Sequence, residues 1–311
     1  MNGIFQSKHF KLEKLRANVY AAIAKEGGGA AANAGFVDLG EKVIVFDTFN
    51  TQQASQDLKH LAESITNHPV TWVINSHWHG DHIRGNQTFK DRIIISSEST
   101  YTKMKDIYPS RIAAQKNDID GLTNYIQSLK DHFIQNTETQ LQYQINFLSE
   151  LKSSLPTLEL SLPNQTFIDE ITFHGQKQSA TLFTLGGGHS LCDAMLYIPD
   201  EKVIFMGDLL FVNCHPTFFE ETDLAHWINI LKKVDFMEFD VAVPGHGSAG
   251  TKEDILKVIH YISDLTALVR EGHPIEEIKI PAKYSNWGSS EVFQQNIKIV
   301  EALLNKGTSI M

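Results

Sequence analysis

The chain has 311 residues, of which 42% are hydrophobic and 21% are charged, and its formal net charge is −10. This is the composition of an ordinary globular protein with enough apolar residues for a substantial core. The acidic balance and the lack of clustered Lys and Arg disfavour general affinity for phosphate backbones, so we expect no nucleic-acid partner. No run of about 18 apolar residues occurs, which disfavours a membrane span.

The N-terminal segment and the cysteines indicate a compartment. Residues Met1–Phe10 lack an apolar stretch of signal-peptide length, which predicts a cytoplasmic protein. Two cysteines in a chain of this length, without an export signal, are typical of free thiols rather than a disulfide framework. We therefore expect Cys192 and Cys214 to be unpaired.

The first part of the chain predicts strands followed by a helix. Strand-like runs within residues 19–47 flank the glycine- and alanine-rich segment 26–32, which is too small and flexible for a core and predicts a turn. Apolar residues at helical spacing follow, at Ala54, Leu58, Leu61 and Ile65. Another strand comes next, and this βαβ order places the helix on one face of a sheet.

The segment Val73–His82 is the most informative stretch of the chain, because it carries four potential metal ligands directly after an apolar run. His77 and His79 are two positions apart, so in an extended backbone both imidazoles project to the same side and chelate one ion. Asp81 and His82 lie beyond the bend at Gly80 and reach a second ion. The motif therefore predicts a site for two metals, with further ligands downstream.

The segment from about 97 to 156 is polar and glutamine-rich, with apolar residues at helical spacing. It predicts at least two long helices, with stripes at Ile126, Leu129, Phe133, Leu141, Ile145, Leu148 and Leu151. Three interpretations stay open for this helical insertion: a wall of the substrate pocket, a contact in a homodimer, or a simple packing element.

Three later strand-like runs each lead into a glycine beside a histidine or an aspartate, at His189, Asp208 and His246. Glycine lets the backbone approach a metal closely without a Cβ clash. Phe211 and His215 follow Asp208 and are either candidate pocket residues or structural residues. Helical stripes then predict a C-terminal extension over about 251–311, within a single domain that spans residues 1–311.

The ordered pattern of His77, His79, Asp81, His82, then a lone His, an Asp and a final His resembles the metallo-β-lactamase fold superfamily. The resemblance implies an α+β fold, a four-layer αββα sandwich with the metals at one edge. It implies that His77, His79 and His189 hold one ion, that Asp81, His82 and His246 hold the other, and that Asp208 bridges both. In this family a hairpin overhangs the metals, so segment 26–32 is either such a flap or a plain turn.

Asp47 ends a strand in the first part of the chain. A carboxylate at this position is either an ordinary turn residue or a partner that orients a metal-binding histidine, and the sequence leaves both interpretations open.

Two divalent ions about 3.5–4 Å apart activate a shared water at neutral pH and polarise the substrate's oxygen. We expect zinc, with manganese or iron as alternatives. In the leading hypothesis a metal-bridging hydroxide attacks a small ester, thioester or lactone, and the catalytic residues Asp81 and Asp208 orient it or relay a proton. Asp208 favours this class, since glyoxalase II-like thioesterases and lactonases of the family carry Asp there, whereas secreted metallo-β-lactamases generally carry Cys or another residue.

Other functions on the same ligand pattern stay open. One is an oxidoreductase similar to persulfide dioxygenases, with a single iron held by His77, His79 or His189 and by Asp208. A second is hydrolysis of a β-lactam or a phosphodiester. A third is a non-catalytic binding protein, which the intact ligand set disfavours because buried His and Asp side chains without a metal are costly.

Overall fold

The structure of the protein, a computed structural model, describes residues 6–135 and 138–308. The first and last few residues of the predicted domain, 1–5 and 309–311, lie outside the described residues. The strands are β1 (Phe10–Arg16), β2 (Val19–Ala24), β3 (Ala34–Asp38), β4 (Val43–Phe46), β5 (Val70–Ile74), β6 (Ile93–Ser97), β7 (Gln165–Phe167), β8 (Glu170–His174), β9 (Ser179–Thr184), β10 (Ala194–Ile198), β11 (Val203–Val212) and β12 (Val241–Gly247). The α-helices are α1 (Gln52–Thr66), α2 (Gly80–Ile83), α3 (Glu98–Asn117), α4 (Ile119–Gln135), α5 (Thr139–Ser154), α6 (Leu224–Asp235), α7 (Lys252–Arg270) and α8 (Phe293–Thr308).

The strands of the described chain form two sheets. Strands β1 to β7 lie in chain order in one sheet, which changes from antiparallel to parallel pairing at β4 and β5. The second sheet has the order β12-β11-β10-β9-β8, with β11 and β12 parallel. The carboxyl ends of β4 and β5 therefore meet at one edge of the first sheet, and those of β11 and β12 meet at one edge of the second.

Side-chain alternation along the central strands divides the core into layers. On β4, Val45 packs with the residues of α1, whereas Ile44 and Phe46 pack in the core between the sheets. On β11, Phe205 lies between the sheets and Met206 lies among the C-terminal helices. This order of helix, sheet, sheet and helix confirms the predicted α+β sandwich.

Helices cover the outer face of each sheet. Thr51 begins α1, because its side chain accepts a hydrogen bond from the Ala54 backbone N–H at 3.3 Å, and Leu58 then packs on the first sheet. Helices α6, α7 and α8 cover the second sheet and contribute fully buried residues, with Trp227 and Tyr261 the largest.

Helices α3, α4 and α5 occupy the segment predicted as an insertion. On α3, Met104 and Tyr108 pack against Trp78 of the metal-binding motif. On α5, Asn146 lies next to Gly27, where an added Cβ would stand 3.1 Å from the Asn146 Cβ. These helices therefore lie against both the motif and the turn between β2 and β3.

Two expectations need correction. The glycine- and alanine-rich turn is part of the core: Ala30 and Ala32 are fully buried, and the Gly29 backbone N–H donates to Nδ1 of buried His9 at 2.9 Å. Small side chains allow this close packing. Of the two interpretations of the segment, the structure supports a plain turn between β2 and β3, and this turn is buried. Asp208 also lies within β11 rather than beyond its end, because β11 continues past an irregularity in its pairing with β12.

Two further expectations concern the cysteines and membrane-spanning helices. Both cysteines are free, as predicted. Among the helices of residues 6–135 and 138–308, none is long and apolar enough to cross a membrane.

Candidate metal centre

The first ligand motif lies where β5 ends. His77 follows the strand at a bend, and His79 has extended backbone with φ −68° and ψ 150°. The chain then turns into the short helix α2. Asp81 and His82 belong to α2, so the bend at Gly80 separates the two ligand pairs as the sequence predicted. The motif thus presents side chains to two neighbouring positions.

The second sheet supplies the remaining predicted ligands from β11, β12 and the loop after β9. Gly207 has φ +52°, and a Cβ there would lie 2.8 Å from the Ser76 side chain, so only glycine allows β11 to approach the first motif so closely. A Cβ at Gly245 would occupy the position of the Asp208 carboxylate. These glycines bring Asp208 and His246 to the motif.

The first cluster consists of His77, His79, His189 and Asp208, all buried. Nε2 of His77 and Nε2 of His189 each lie 3.0 Å from Nδ1 of His79. Three imidazole nitrogens therefore converge on one position, as a metal chelate requires.

The second cluster consists of Asp81, His82 and His246. Nε2 of His246 lies 3.4 Å from Asp81 Oδ2, and Nε2 of His82 lies 3.7 Å from the same oxygen. Asp208 faces both clusters with different oxygens: its Oδ2 lies 3.2 Å from His189 Nε2, and its Oδ1 lies 3.1 Å from His82 Nε2. The carboxylate of Asp208 thus stands between the two clusters.

The donor atoms fit divalent metal ions. His82 Nε2 and Asp208 Oδ1 are buried without a hydrogen-bond partner, although they lie 3.1 Å apart, because their orientation does not suit a hydrogen bond. Unsatisfied buried polar atoms are costly, and coordination to a cation is one arrangement that satisfies them. The imidazole and carboxylate set is the one that zinc and similar ions prefer.

Protonation distinguishes the clusters. Burial lowers the pKa of His79 and of His189 to about 4, and it lowers that of His77 well below its ordinary value. These imidazoles are neutral at pH 7, which is the form that binds a metal.

In the second cluster, nearby carboxylates outweigh burial and raise the pKa values of the histidines. Burial alone would lower the pKa of His246, yet the carboxylates of Asp208 and Asp81 raise it to about 10. The same carboxylates, together with Asp47, raise the pKa of His82 against the effect of its burial. The electrostatic field that favours protons at this position also favours a divalent cation.

Asp47 orients ligands of both clusters. Its carboxylate accepts hydrogen bonds from the Ser76 hydroxyl and from His82 Nδ1, both at 2.8 Å. The Ser76 hydroxyl in turn lies 2.9 Å from His77 Nδ1, which leaves Nε2 of each histidine directed at the clusters. Asp47 itself has φ +60°, a strained conformation for a residue with a side chain. Of the two interpretations of Asp47, the structure supports the orienting partner.

The clusters differ in access. The loop between β11 and α6 covers the first cluster, since the Phe219 ring lies 4.5 Å from that of His79 and 5.6 Å from that of His189. Asp81 and His246 instead expose 27% of their side chains. The open side of the centre is therefore the second cluster.

The two candidate pocket residues lie elsewhere. Phe211 is buried and stacks on the His246 ring with centroids 5.2 Å apart, so it supports this histidine from within the protein. His215 is 1% exposed, and its Nδ1 lies 2.9 Å from the Tyr261 hydroxyl in the core beneath α7 and α8. Of the two interpretations of His215, the structure therefore supports the structural one.

Sequence reasoning missed three residues beside the centre. Glu221 accepts a hydrogen bond from Trp78 Nε1 at 2.6 Å, and its carboxylate lies 3.9 Å from His79 Nε2. Trp78 and Arg84 belong to the motif segment and its continuation, so their positions beside known ligand candidates were a usable signal. Glu221 lies far along the chain, and no pattern in the sequence indicates it.

Comparisons with known proteins agree with this geometry. A family model described as the metallo-beta-lactamase superfamily matches residues 27–246. The metallo-beta-lactamase type 2 of Bacteroides fragilis is 30% identical over 98 residues, which are 30% of this chain and only 39% of that protein.

Solved structures share the fold. The metallo-beta-lactamase from Pontibacter korlensis aligns with 82% of this chain and 100% of its own, with a TM-score of 0.58 and 16% identity. The structure of VMB-1 aligns with 83% of this chain and 99% of its own, with a TM-score of 0.58 and 17% identity. At these identities the likeness establishes the fold alone. Since the family model matches most of the chain, and the sandwich and the clustered His and Asp residues agree with it, the chain belongs to the metallo-β-lactamase superfamily.

Proposed function

We propose that the protein is a binuclear metal-dependent hydrolase. His77, His79 and His189 would hold one divalent ion, and Asp81, His82 and His246 would hold the other. The observation that carries the proposal is the position of Asp208, whose two carboxylate oxygens face different clusters at 3.2 and 3.1 Å. A carboxylate in this position suits a ligand shared by two ions. The charged side chains of the second cluster have no other evident role.

Two divalent ions would supply an activated water at neutral pH and a Lewis acid for the substrate's oxygen. The protein's own residues fix the ligands and the access route. Asp47 holds His82 and, through Ser76, His77. Phe219 excludes water from the first cluster, while Asp81, at the open side, is placed to accept a proton from a reacting group.

We infer that the substrate is a small ester, thioester or lactone. Asp208 supports this class over β-lactams, because the position between the clusters carries a carboxylate and not a thiol. The test is elemental analysis of protein purified without added metal, followed by assays on a panel of esters, thioesters and lactones. About two zinc or manganese ions per chain, with hydrolysis of one class, is the expected result. About one iron per chain, with no hydrolysis, would overturn the proposal in favour of oxygen-dependent sulfur chemistry.

A second candidate is β-lactam hydrolysis, supported by the local identity to the Bacteroides fragilis enzyme over 98 residues. A chromogenic cephalosporin belongs in the same panel, with the metal-loaded protein. If its kcat/KM exceeds that of every ester, thioester and lactone, the substrate class proposed above is wrong, and the binuclear hydrolase itself stands.

A further inference from the structure

Two guanidinium groups near the ligand motif have no carboxylate partner in an ion pair. Arg84 follows α2, directly after the motif, and Arg111 lies on α3 of the insertion. Within residues 6–135 and 138–308, neither takes part in an ion pair, although the protein as a whole is acidic. Lys103, the nearby cation on α3, differs because Glu221 lies 3.5 Å from its Nζ.

Arg84 is 8% exposed, and its Nε and Nη2 have no hydrogen-bond partner. Its side chain passes beside Gly80, where an added Cβ would stand 3.2 Å from Arg84 Cδ and 3.1 Å from the Tyr108 hydroxyl. The groups that act electrostatically on Arg84 are Tyr108 and Asp81. A buried guanidinium without an anion is costly, and this one stands next to a ligand of the exposed second cluster.

Arg111 is exposed and lies beside the same tyrosine, Tyr108. Its guanidinium lies 5.2 Å from the centre of the Trp78 ring and 5.8 Å from that of Tyr108. The Trp78 ring lies 4.6 Å from the His79 ring, and the charge of Arg111 acts on both His79 and Tyr108. Aromatic stacking holds the guanidinium at the rim of the centre without neutralising it.

We propose that Arg84, Arg111 and the Tyr108 hydroxyl form an anion subsite beside the ligand motif, at the rim of the metal centre, which binds a carboxylate of the substrate. The planar fork of Arg suits a carboxylate, and the hydroxyl supplies a neutral donor. This inference rests on the proposed hydrolase and narrows its substrate class to acyl compounds with a carboxylate at the end remote from the scissile bond. The insertion then contributes to specificity, because α3 carries two of the three groups.

The first arm of the test compares two chromogenic esters with the metal-loaded protein, mono-4-nitrophenyl adipate and 4-nitrophenyl hexanoate. Their acyl chains have the same number of carbons and end in a carboxylate and a methyl group. Each hydrolysis consumes one water and releases one 4-nitrophenol, so the rates are directly comparable. We expect kcat/KM about tenfold higher for the adipate ester, as a partly exposed charge-assisted contact allows.

The matched variants are Arg111→Ala and Lys105→Ala, which each remove one exposed cation from α3. Arg111→Ala should abolish the preference for the carboxylate, because it raises KM for the adipate ester about tenfold more than KM for the hexanoate ester. Lys105→Ala should retain it. Arg84→Met keeps the volume of the buried side chain and should also abolish the preference. If circular dichroism shows that Arg84→Met does not fold, the result for Arg111→Ala alone decides whether the subsite exists.

The second arm measures binding without turnover, by calorimetric titration of the metal-loaded protein with adipamate and with hexanamide. Adipamate should bind about tenfold more tightly than hexanamide, and Arg111→Ala should remove the difference. Equal binding of the two amides by the unmodified protein, or a preference that persists in Arg111→Ala, would overturn the subsite. A protein that carries two ions and hydrolyses neither these esters nor any member of the panel above contradicts the proposed hydrolase, and in that case the titration still decides the subsite.

Discussion

The two ligand clusters of this protein use similar side chains in different surroundings. In the first cluster His77 and His189 are fully buried, and Phe219 covers them. In the second, Asp81 and His246 each expose 27% of the side chain. Burial keeps the first imidazoles neutral, whereas the carboxylates beside His82 and His246 favour a cation. In the proposed hydrolase, the first cluster would therefore retain an ion and the second would meet the substrate.

Asp208 faces both clusters, so its replacement should have the largest effect on metal content and activity. We expect Asp208→Ala to lose both ions after dialysis and to reduce kcat/KM by at least about 1,000-fold, since a group that acts at the reacting centre is worth that much or more. Metal per chain and hydrolysis of the best ester measure this. Asp240→Ala removes an exposed carboxylate and is the control. Retention of both ions by Asp208→Ala would show that the carboxylate is not shared.

Single ligand changes separate the clusters. His246→Ala should retain one ion per chain and His77→Ala should lose the ion of the first cluster, because each imidazole belongs to one cluster only. Elemental analysis of both variants, with exposed His174→Ala as control, measures the stoichiometry. Loss of both ions from His246→Ala would mean that the clusters act as one site.

Asp47 tests whether the geometry of the second cluster depends on an orienting carboxylate. Asp47→Asn keeps the shape but presents an amide to donors on Ser76 and His82, so we expect the ion of the second cluster to bind about 10–100-fold more weakly. Competition with a chelator measures the affinity, and the exposed Asp91→Asn serves as control. An unchanged affinity would assign Asp47 to the turn alone.

Replacement of His215 should have the smallest effect on catalysis. His215→Ala removes the partner of the buried Tyr261 hydroxyl, so we expect a loss of about 1–3 kcal/mol in the free energy of unfolding. Since the imidazole is buried in the helical layer, kcat/KM should change by less than about twofold. Denaturant titration and steady-state kinetics measure the two quantities, and a large loss of activity in a stable variant would restore His215 as a pocket residue.

The sequence was sufficient to predict the layers of the fold and the residues that come together. The resemblance carried by the ligand motif predicts the layers, while the strand-like runs and the helical spacing around Leu58 predict the local elements. The motif Val73–His82 fixes four potential ligands by spacing alone. Proximity to Asp208 in the sequence left the roles of Phe211 and His215 open. Both side chains are buried, Phe211 on β11 and His215 beyond the end of that strand.

By itself, the sequence determined the set of His and Asp residues, because that set depends on residue type and short-range spacing. Through its resemblance to the superfamily, the same pattern implied the αββα order. Only the tertiary structure decided which oxygen of Asp208 faces which cluster, that Asp47 holds His82, and that Glu221 lies beside His79. It also decided that Arg84 and Arg111 meet at Tyr108. These relations join segments far apart in the chain, and only the packing of both sheets and of α3 brings them within contact distance.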